Sequence, residues 1–213
     1  MRRLLSLGAA WLLASASASA GVLLATRALR VTEGRGIPLP GGGLRVEEPR
    51  LRAVVPGMVT GPASVPRVAE LRFVYGGPSR VQLPLQSGEL RRQVGLKLRA
   101  RDGCNVIYVM WRILPREEVV VSVKSNPGLQ RSDDCGNGGY QTVRPVERGA
   151  LPVLVPGVRH SLRAELRGVA LKVWVDGTTA WEGVLPAEAL AFDGPVGLRT
   201  DNGRFELELH ASP

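Results

Sequence analysis

Acidic side chains are the first residues of this chain that could do chemistry, because two carboxylates flanking a glycosidic bond can hydrolyse it. Glu206 and Glu208 share one face of an alternating segment, and the alternation assigns that face to solvent. Asp133 and Asp134 fall in a segment that has the composition of a loop. The sequence therefore predicts no catalytic carboxylate pair. Asp133 and Asp134 remain candidates for a binding role, since binding groups concentrate on loops.

His160 is the only histidine in the middle of the chain. A catalytic role would need a Ser or Cys nucleophile and an acidic residue that orients the ring, and the sequence identifies neither. We therefore interpret His160 as a structural histidine that hydrogen-bonds to backbone where a strand begins.

The glycine-rich segment 136–139 is not a phosphate loop, because it follows no strand, opens no helix and lacks the Lys-Ser/Thr pair.

Aromatic side chains are the residues of this chain best suited to stack on a sugar ring. Trp111 and Trp174 lie in strongly apolar segments and are predicted to belong to the core. Trp181 and Tyr140 lie beside turns and loops, which makes them better candidates for contact with a ligand. The predicted ligand-binding residues, drawn from these aromatics and from the loop that precedes Tyr140, are Tyr140, Trp181, Asp133, Asp134 and Asn137.

The segments that must position these residues alternate apolar and polar side chains with a period of two, the pattern of half-buried strands. Residues 104–113 are almost continuously apolar and predict a central strand, and residues 119–124 return beside it as a hairpin. Asp176-Gly177 predicts a tight turn between two further strands. About eleven short strands and no βαβ unit predict an all-β fold, an antiparallel two-sheet jelly-roll sandwich.

The beginning of the chain is of a different kind. Arg2 and Arg3 precede an uncharged apolar stretch, and the small residues at 18–20 look like a cleavage site. Residues 1–26 are interpreted as an N-terminal apolar helix that is either a signal peptide or a membrane anchor, the latter attaching through residues 4–26. Both interpretations predict export to the periplasm, the cell envelope or the extracellular space.

Two boundaries follow from composition. Residues 27–43 are rich in Gly and Pro and are predicted to be a linker without a regular element. Residues 44–213 are predicted to form the β-sandwich domain.

Export changes the interpretation of the two cysteines, Cys104 and Cys135, which are the only ones in the chain. In an oxidising compartment a single pair is expected to form a disulfide, here fastening the long loop at 125–150 to the start of the central strand. Two free buried thiols remain the alternative. A zinc site is disfavoured, because these cysteines and the two histidines lack the paired short spacings that zinc sites use.

The formal net charge of +9 comes almost entirely from scattered arginines rather than from one basic tract. A solvated basic surface is the simplest interpretation. Attraction to an anionic polysaccharide or lipopolysaccharide is the sharper one. Nucleic acid is not predicted as a partner, because no basic motif interleaved with aromatic residues is present.

The last third of the chain carries a resemblance to a known group. The resemblance is carried by two segments, Val173-Trp174-Val175-Asp176-Gly177 and residues 194–202 (GPVGLRTDN). In this pattern the chain resembles concanavalin A-like lectin/glucanase sandwich domains of the laminin-G-like type, as found in bacterial secreted proteins. The resemblance implies a sandwich fold. It also keeps calcium as a candidate metal, at Asp201-Asn202 or in the Asp133 loop, while no cofactor is predicted.

These observations predict an exported, non-enzymatic β-sandwich domain that binds carbohydrate or another polymer of the cell envelope. Two alternatives stay open. The first is a glycoside hydrolase-like enzyme, which requires two carboxylates facing each other across one cleft. The second is a purely structural or adhesion module, which requires no groove.

Overall fold

The computed structural model describes residues 22–23, 29–40, 42–56 and 67–212. The predicted leader at 1–26 and its apolar helix lie outside these residues, apart from Val22 and Leu23, which form a short strand. Within the described residues, no helix is long and apolar enough to cross a bilayer.

Strands dominate the described residues, as the two-residue period predicts. In chain order they are β1 (Val22–Leu23), β2 (Arg30–Glu33), β3 (Ile37–Pro38), β4 (Leu44–Val46), β5 (Arg50–Val54), β6 (Val68–Pro78), β7 (Arg92–Leu98), β8 (Val106–Leu114), β9 (Glu118–Lys124), β10 (Tyr140–Val143), β11 (Glu147–Arg148), β12 (Arg159–Arg167), β13 (Ala170–Val175), β14 (Thr178–Val184), β15 (Gly197–Asp201) and β16 (Gly203–Ser212). A short helix α1 (Ser132–Cys135) and a 3₁₀ turn (Ala187–Leu190) are the helical elements in this part of the chain.

The strands form two antiparallel sheets. One has the spatial order β11-β14-β13-β12-β6-β16-β4-β3, with β1 also paired to β16, and is called the nine-stranded sheet below. The other has the order β10-β9-β8-β7-β15-β5-β2 and is called the seven-stranded sheet. The predicted all-β, two-sheet antiparallel sandwich is therefore confirmed.

The two sheets face each other across one apolar core. In each long strand the alternate apolar residues point inward, as in β7, where Val94 and Leu96 are fully buried. Phe73 of the nine-stranded sheet meets Trp111 of the seven-stranded sheet edge to face, with ring centroids 5.6 Å apart. Trp111 is therefore a core residue, as predicted.

The predicted hairpins form. Strands β8 and β9 pair from Val106↔Lys124 to Arg112↔Glu118. Strands β13 and β14 are joined at Asp176 and Gly177, whose φ angles of 48° and 80° are those of the left-handed turn that suits a two-residue hairpin.

Residues 27–43 depart from the prediction of a segment without regular structure. Strand β2 pairs with β5 at the edge of the seven-stranded sheet, and β3 pairs with β4 at the edge of the other. Proline is tolerated at an edge because its missing N–H faces away from the neighbouring strand, so Pro38 can take part in β3. The composition therefore gave a wrong prediction of secondary structure here.

Candidate functional site

A groove of about 930 Å³ lies over the outer face of the seven-stranded sheet. Side chains from β2, β5, β7, β8, β9, β10 and β15 form its floor. The segment 84–87 lines one part of its wall, and the loop at 130–137 lines another. The groove therefore joins a rigid sheet face to the long loop that the sequence singled out.

The predicted disulfide fastens this loop to the sheet. Cys104 and Cys135 are bonded, with their Cα atoms 5.9 Å apart, and neither is a free thiol. Lys124 at the end of β9 donates hydrogen bonds from Nζ to the carbonyl oxygens of Gly103 (3.2 Å) and Gly136 (2.8 Å). The loop wall is thus held both covalently and by the side chain of Lys124.

Two tyrosines stack on the groove floor. The rings of Tyr108 and Tyr140 are 6.1 Å apart between centroids and 21° from parallel. A cation approaches each ring: Lys124 Nζ lies 5.1 Å from the Tyr140 centroid, and Arg199 Cζ lies 5.1 Å from that of Tyr108. Loss of hydration, reinforced by Tyr108, raises the pKa of Tyr140 to about 12. Tyr140 therefore stays neutral at ordinary pH, and 43% of it remains exposed.

Most of the predicted loop residues meet in this groove. Asp133, Asn137 and Tyr140 all line it. Asp134 is exposed and does not line it. The structure thus brings Asp133, Asn137 and Tyr140 to one groove, and their contact with a ligand stays a prediction.

Trp181 is the predicted ligand-binding residue that the structure corrects. Its side chain is 0% exposed and belongs to the core of the sandwich, so no ligand can stack on it. The cause is an irregularity in the pairing of β13 with β14, where Val173 faces Trp181 but Trp174 faces Thr179. This bulge turns Trp181 inward together with its neighbour Ala180.

Trp174 was predicted to be in the core and lies on the outer face of the nine-stranded sheet instead. It is partly exposed, and Arg163 and Lys172 lie over its ring at 5.8 and 5.7 Å. The roles predicted for Trp174 and Trp181 are therefore exchanged.

Buried charges on the groove floor are the feature that the sequence analysis missed. Arg199 of β15 is buried and donates to both carboxylate oxygens of Asp201 (Nε–Oδ2, 2.8 Å). Burial opposes the charge of Arg199, but the Asp201 carboxylate raises its pKa above the ordinary value. Lys97 of β7 is only 5% exposed and makes no hydrogen bond or ion pair with any described residue.

The environment of Lys97 disfavours its charge. Burial, together with the nearby guanidinium groups of Arg52 and Arg199, lowers the pKa of Lys97 to about 8. Burial likewise lowers the pKa of Lys124. Among the described residues, nine cationic side chains line the groove against three carboxylates.

The outer face of the nine-stranded sheet is different. Its charges pair with one another across the strands, as in Arg45–Glu206 (3.0 Å), Arg159–Glu208 (3.1 Å) and Lys172–Glu182 (2.8 Å). Glu206 and Glu208, predicted to face solvent, belong to this face. It presents balanced charge and the groove does not.

Comparison with known proteins identifies the architecture. No protein-family model and no curated protein matches the sequence. Among solved structures, the chain is similar to the carbohydrate-binding module CBM66 from Bacillus subtilis, with 13% identity and a TM-score of 0.57, over 86% of this chain and 95% of that one. It is also similar to the metal-free form of the Emp46p carbohydrate recognition domain, with 9% identity and a TM-score of 0.55, over 87% of this chain and 88% of that one.

The chain shares the two-sheet sandwich fold of these structures. At these identities the likeness extends to the fold, which the resemblance in the sequence also implied. The role of individual residues must come from this structure alone.

The carboxylates of the groove are already engaged or isolated. Glu33 pairs with Arg52 at 2.6 Å, and Asp102 accepts the backbone N–H groups of Cys104 and Asn105, both at 2.8 Å. Asp133 makes no hydrogen bond or ion pair with any described residue. The structure thus offers no second carboxylate, free of other partners, to act with Asp133 across the groove.

At the calcium candidate Asp201-Asn202, both side chains are engaged by protein groups. Asp201 accepts from Gln93 Nε2 (2.6 Å) as well as from Arg199, and the Asn202 side chain bonds the backbone of Leu83 and Arg91. In the described part of the chain, no group of three or more His, Cys, Asp or Glu side chains could hold a metal ion.

Because the pKa of Lys97 is lowered in the native state, the free energy of unfolding should depend on pH through this group. Since the native state binds this proton less tightly than the unfolded chain, the charge of Lys97 disfavours folding below pH 8. Between about pH 8 and 10.5 the native state loses the proton first, so stability due to this group rises with pH. We expect Lys97→Met to raise the free energy of unfolding at pH 7 by about 1–3 kcal/mol and to remove that rise.

Urea unfolding at pH 7 and at pH 10 measures both effects. Lys172→Met is the matched control, because Lys172 is the exposed partner of Glu182 and its removal is expected to change stability little. Equal pH dependence in the wild type and in Lys97→Met would contradict the assignment.

Proposed function

We propose that this protein is an exported, non-enzymatic domain that binds a carbohydrate or another polymer of the cell envelope in the groove of the seven-stranded sheet. The observation that carries the proposal is the exposed ring of Tyr140, which stacks on the buried Tyr108 in an open groove lined by hydrogen-bonding side chains. Aromatic rings beside polar groups suit sugars, which present an apolar C–H face and a rim of hydroxyl groups.

The polar side chains of the floor have the chemistry that hydroxyl groups need. Gln93, Ser122 and Thr142 line the groove beside arginine donors. They lie on strands of one sheet, so their positions are fixed before a ligand arrives and little ordering is lost on binding. The volume of the groove, about 930 Å³, is in the range of small-molecule and oligosaccharide sites.

Two further observations support the proposal. The solved structures with the same fold include a protein titled a carbohydrate-binding module and one titled a carbohydrate recognition domain. The disulfide between Cys104 and Cys135 agrees with an oxidising compartment, as export through the leader at 1–26 would provide. The proposal holds both for a cleaved leader and for one that anchors the protein in a membrane.

The test is binding of soluble polysaccharides, neutral and acidic, measured by affinity electrophoresis and isothermal titration calorimetry. Because an aromatic contact is worth about 0.5–1.5 kcal/mol, we expect Tyr140→Ala to weaken binding by about 2- to 10-fold. Trp174→Ala is the control, since it removes a larger aromatic from the opposite outer face. No binding to any polysaccharide, or equal affinity in the wild type and Tyr140→Ala, would overturn the proposal.

A further inference from the structure

The charge of the groove points to the class of ligand. Carboxylates near the groove engage several of its arginines, as Glu33 does for Arg52 and Asp201 for Arg199. Four cations of the lining have no carboxylate partner among the described residues: Arg30, Lys97, Arg101 and Lys124. On the opposite face, by contrast, cations such as Arg45, Arg159 and Lys172 are paired with acids.

Lys97 is the centre of this excess. Its cross-strand neighbours are Tyr108 on β8 and Gly197 on β15. One side of Lys97 therefore has an aromatic ring, and the other side has no side chain. Lys124 is also buried, but two carbonyl oxygens accept hydrogen bonds from its Nζ. The Lys97 ammonium has no acceptor from any described residue, so an anion in the groove could accept a hydrogen bond from it.

Other arginines of the groove also carry unused donors. The buried Nε atoms of Arg50, Arg52, Arg91 and Arg112 have no hydrogen-bond partner in the described structure, and all four residues line the groove. Arg52 and Arg199 are directly opposite each other on β5 and β15, beside Lys97. The groove thus presents donors and positive charge in excess of acceptors, which is the complement of an anion.

We infer that the groove selects an acidic polysaccharide and that Lys97, flanked by Arg52 and Arg199, receives one of its carboxylate or sulfate groups. This inference rests on the proposed function and narrows it. A neutral glycan would leave the Lys97 charge without a counter-ion, whereas an anionic substituent supplies the missing acceptor. Tyr140, which is 43% exposed, then provides the surface for the adjoining sugar ring.

Binding of an acidic glycan at Lys97 should depend on pH. The charged and titratable groups that face Lys97 are Tyr108 on β8, Arg199 on β15, Arg52 on β5, and Arg30 and Glu33 on β2. Burial and the neighbouring arginines lower the pKa of Lys97 itself to about 8. Uronate and sulfate groups keep their charge throughout this range, so affinity should fall between pH 7 and 9 as Lys97 loses its proton.

The experiment uses oligogalacturonate as the carboxylate probe, a heparin oligosaccharide as the sulfate probe, dextran as the neutral probe and single-stranded DNA as a non-sugar polyanion. We expect the wild type to prefer one of the acidic glycans and Lys97→Met to bind it about 10- to 100-fold more weakly, the effect of losing one charge-assisted hydrogen bond. Lys172→Met carries the same change in net charge on the other face and should bind within about 2-fold of the wild type.

The outcomes separate the two proposals. Binding of dextran that Tyr140→Ala weakens and Lys97→Met does not would overturn this inference and leave the proposed function standing. Equal binding of DNA and of acidic glycans, weakened alike by Lys97→Met and Lys172→Met, would also overturn it, because general polyanion attraction would then suffice. No binding of any glycan would overturn the proposed function itself. Lys97→Met is expected to be stably folded, and the pH dependence of the wild type tests the same side chain without a mutation.

Discussion

Replacing Trp181 by alanine is expected to lower the free energy of unfolding by about 3–5 kcal/mol, the range for removing a large aromatic from a core. The indole is completely buried between the sheets. It also lies against Gly183, where an added Cβ would come within 2.6 Å of the ring. The space it fills is therefore bounded by backbone that cannot collapse easily, which puts the expected loss in the upper half of what core truncations cost.

Trp174→Ala is the matched control for this prediction. It removes the same side chain three residues before the Gly177 turn, but from the outer face, where Arg163 and Lys172 contact the ring. We expect a loss of about 1 kcal/mol or less, the worth of exposed cation–π contacts. Urea unfolding followed by fluorescence or circular dichroism compares the two. Similar losses in both variants, or the larger loss in Trp174→Ala, would contradict the orientation of these strands.

The exchange of the two tryptophans shows where sequence reasoning reached its limit. The alternation of Leu171, Val173 and Val175 already implies that Trp174 faces outward, and the structure agrees with it. On β14 no such rule helps, because the bulge puts Ala180 and Trp181 both inside. A bulge depends on the partner strand, and one strand's sequence does not contain that information.

The groove was only partly predictable, because some of its residues come from strands that are distant in sequence. Its loop residues Asp133, Asn137 and Tyr140 were singled out because they lie in or next to a long segment of loop-like composition that contains Cys135. Lys97 was visible as a polar position in an alternating strand, which predicts that it faces outward. That it is nearly buried, and that Arg52 and Arg199 lie beside it, follows from strand order, since β7, β15 and β5 are far apart in the chain.

The fold was easier to predict than the site. Turns such as Asp176-Gly177 and runs such as 104–113 are local signals, and each of them formed as expected. The edge strands β2 and β3 were not predicted, because a short edge strand needs only a few backbone hydrogen bonds and tolerates Gly and Pro around it. Local pattern thus predicts the interior of each sheet better than its margins.

Removing the disulfide with the double substitution Cys104→Ala and Cys135→Ala is expected to lower the free energy of unfolding by about 3–4 kcal/mol in the chain-entropy model. The two residues are 31 apart in sequence, so the bond excludes many conformations of the unfolded chain. Substituting both cysteines avoids a single reactive thiol. Urea unfolding of the double variant against the oxidised wild type measures the loss, and wild type reduced with a thiol reagent is the control that keeps both sulfur atoms.

The folded loop should survive this change, since other bonds also hold it. Asn126 donates to the carbonyl oxygens of Cys104 (3.2 Å) and Gly138 (3.0 Å), and Asn105 donates to that of Leu129 (2.9 Å). Because the disulfide acts on the unfolded state and these bonds on the native one, we expect trypsin to cut at the exposed Arg131 no more than about twice as fast under strongly folding conditions. Rapid cleavage there with little loss of global stability would show the reverse, that the disulfide orders the groove wall locally and the hydrogen bonds of Asn105, Asn126 and Lys124 do not suffice.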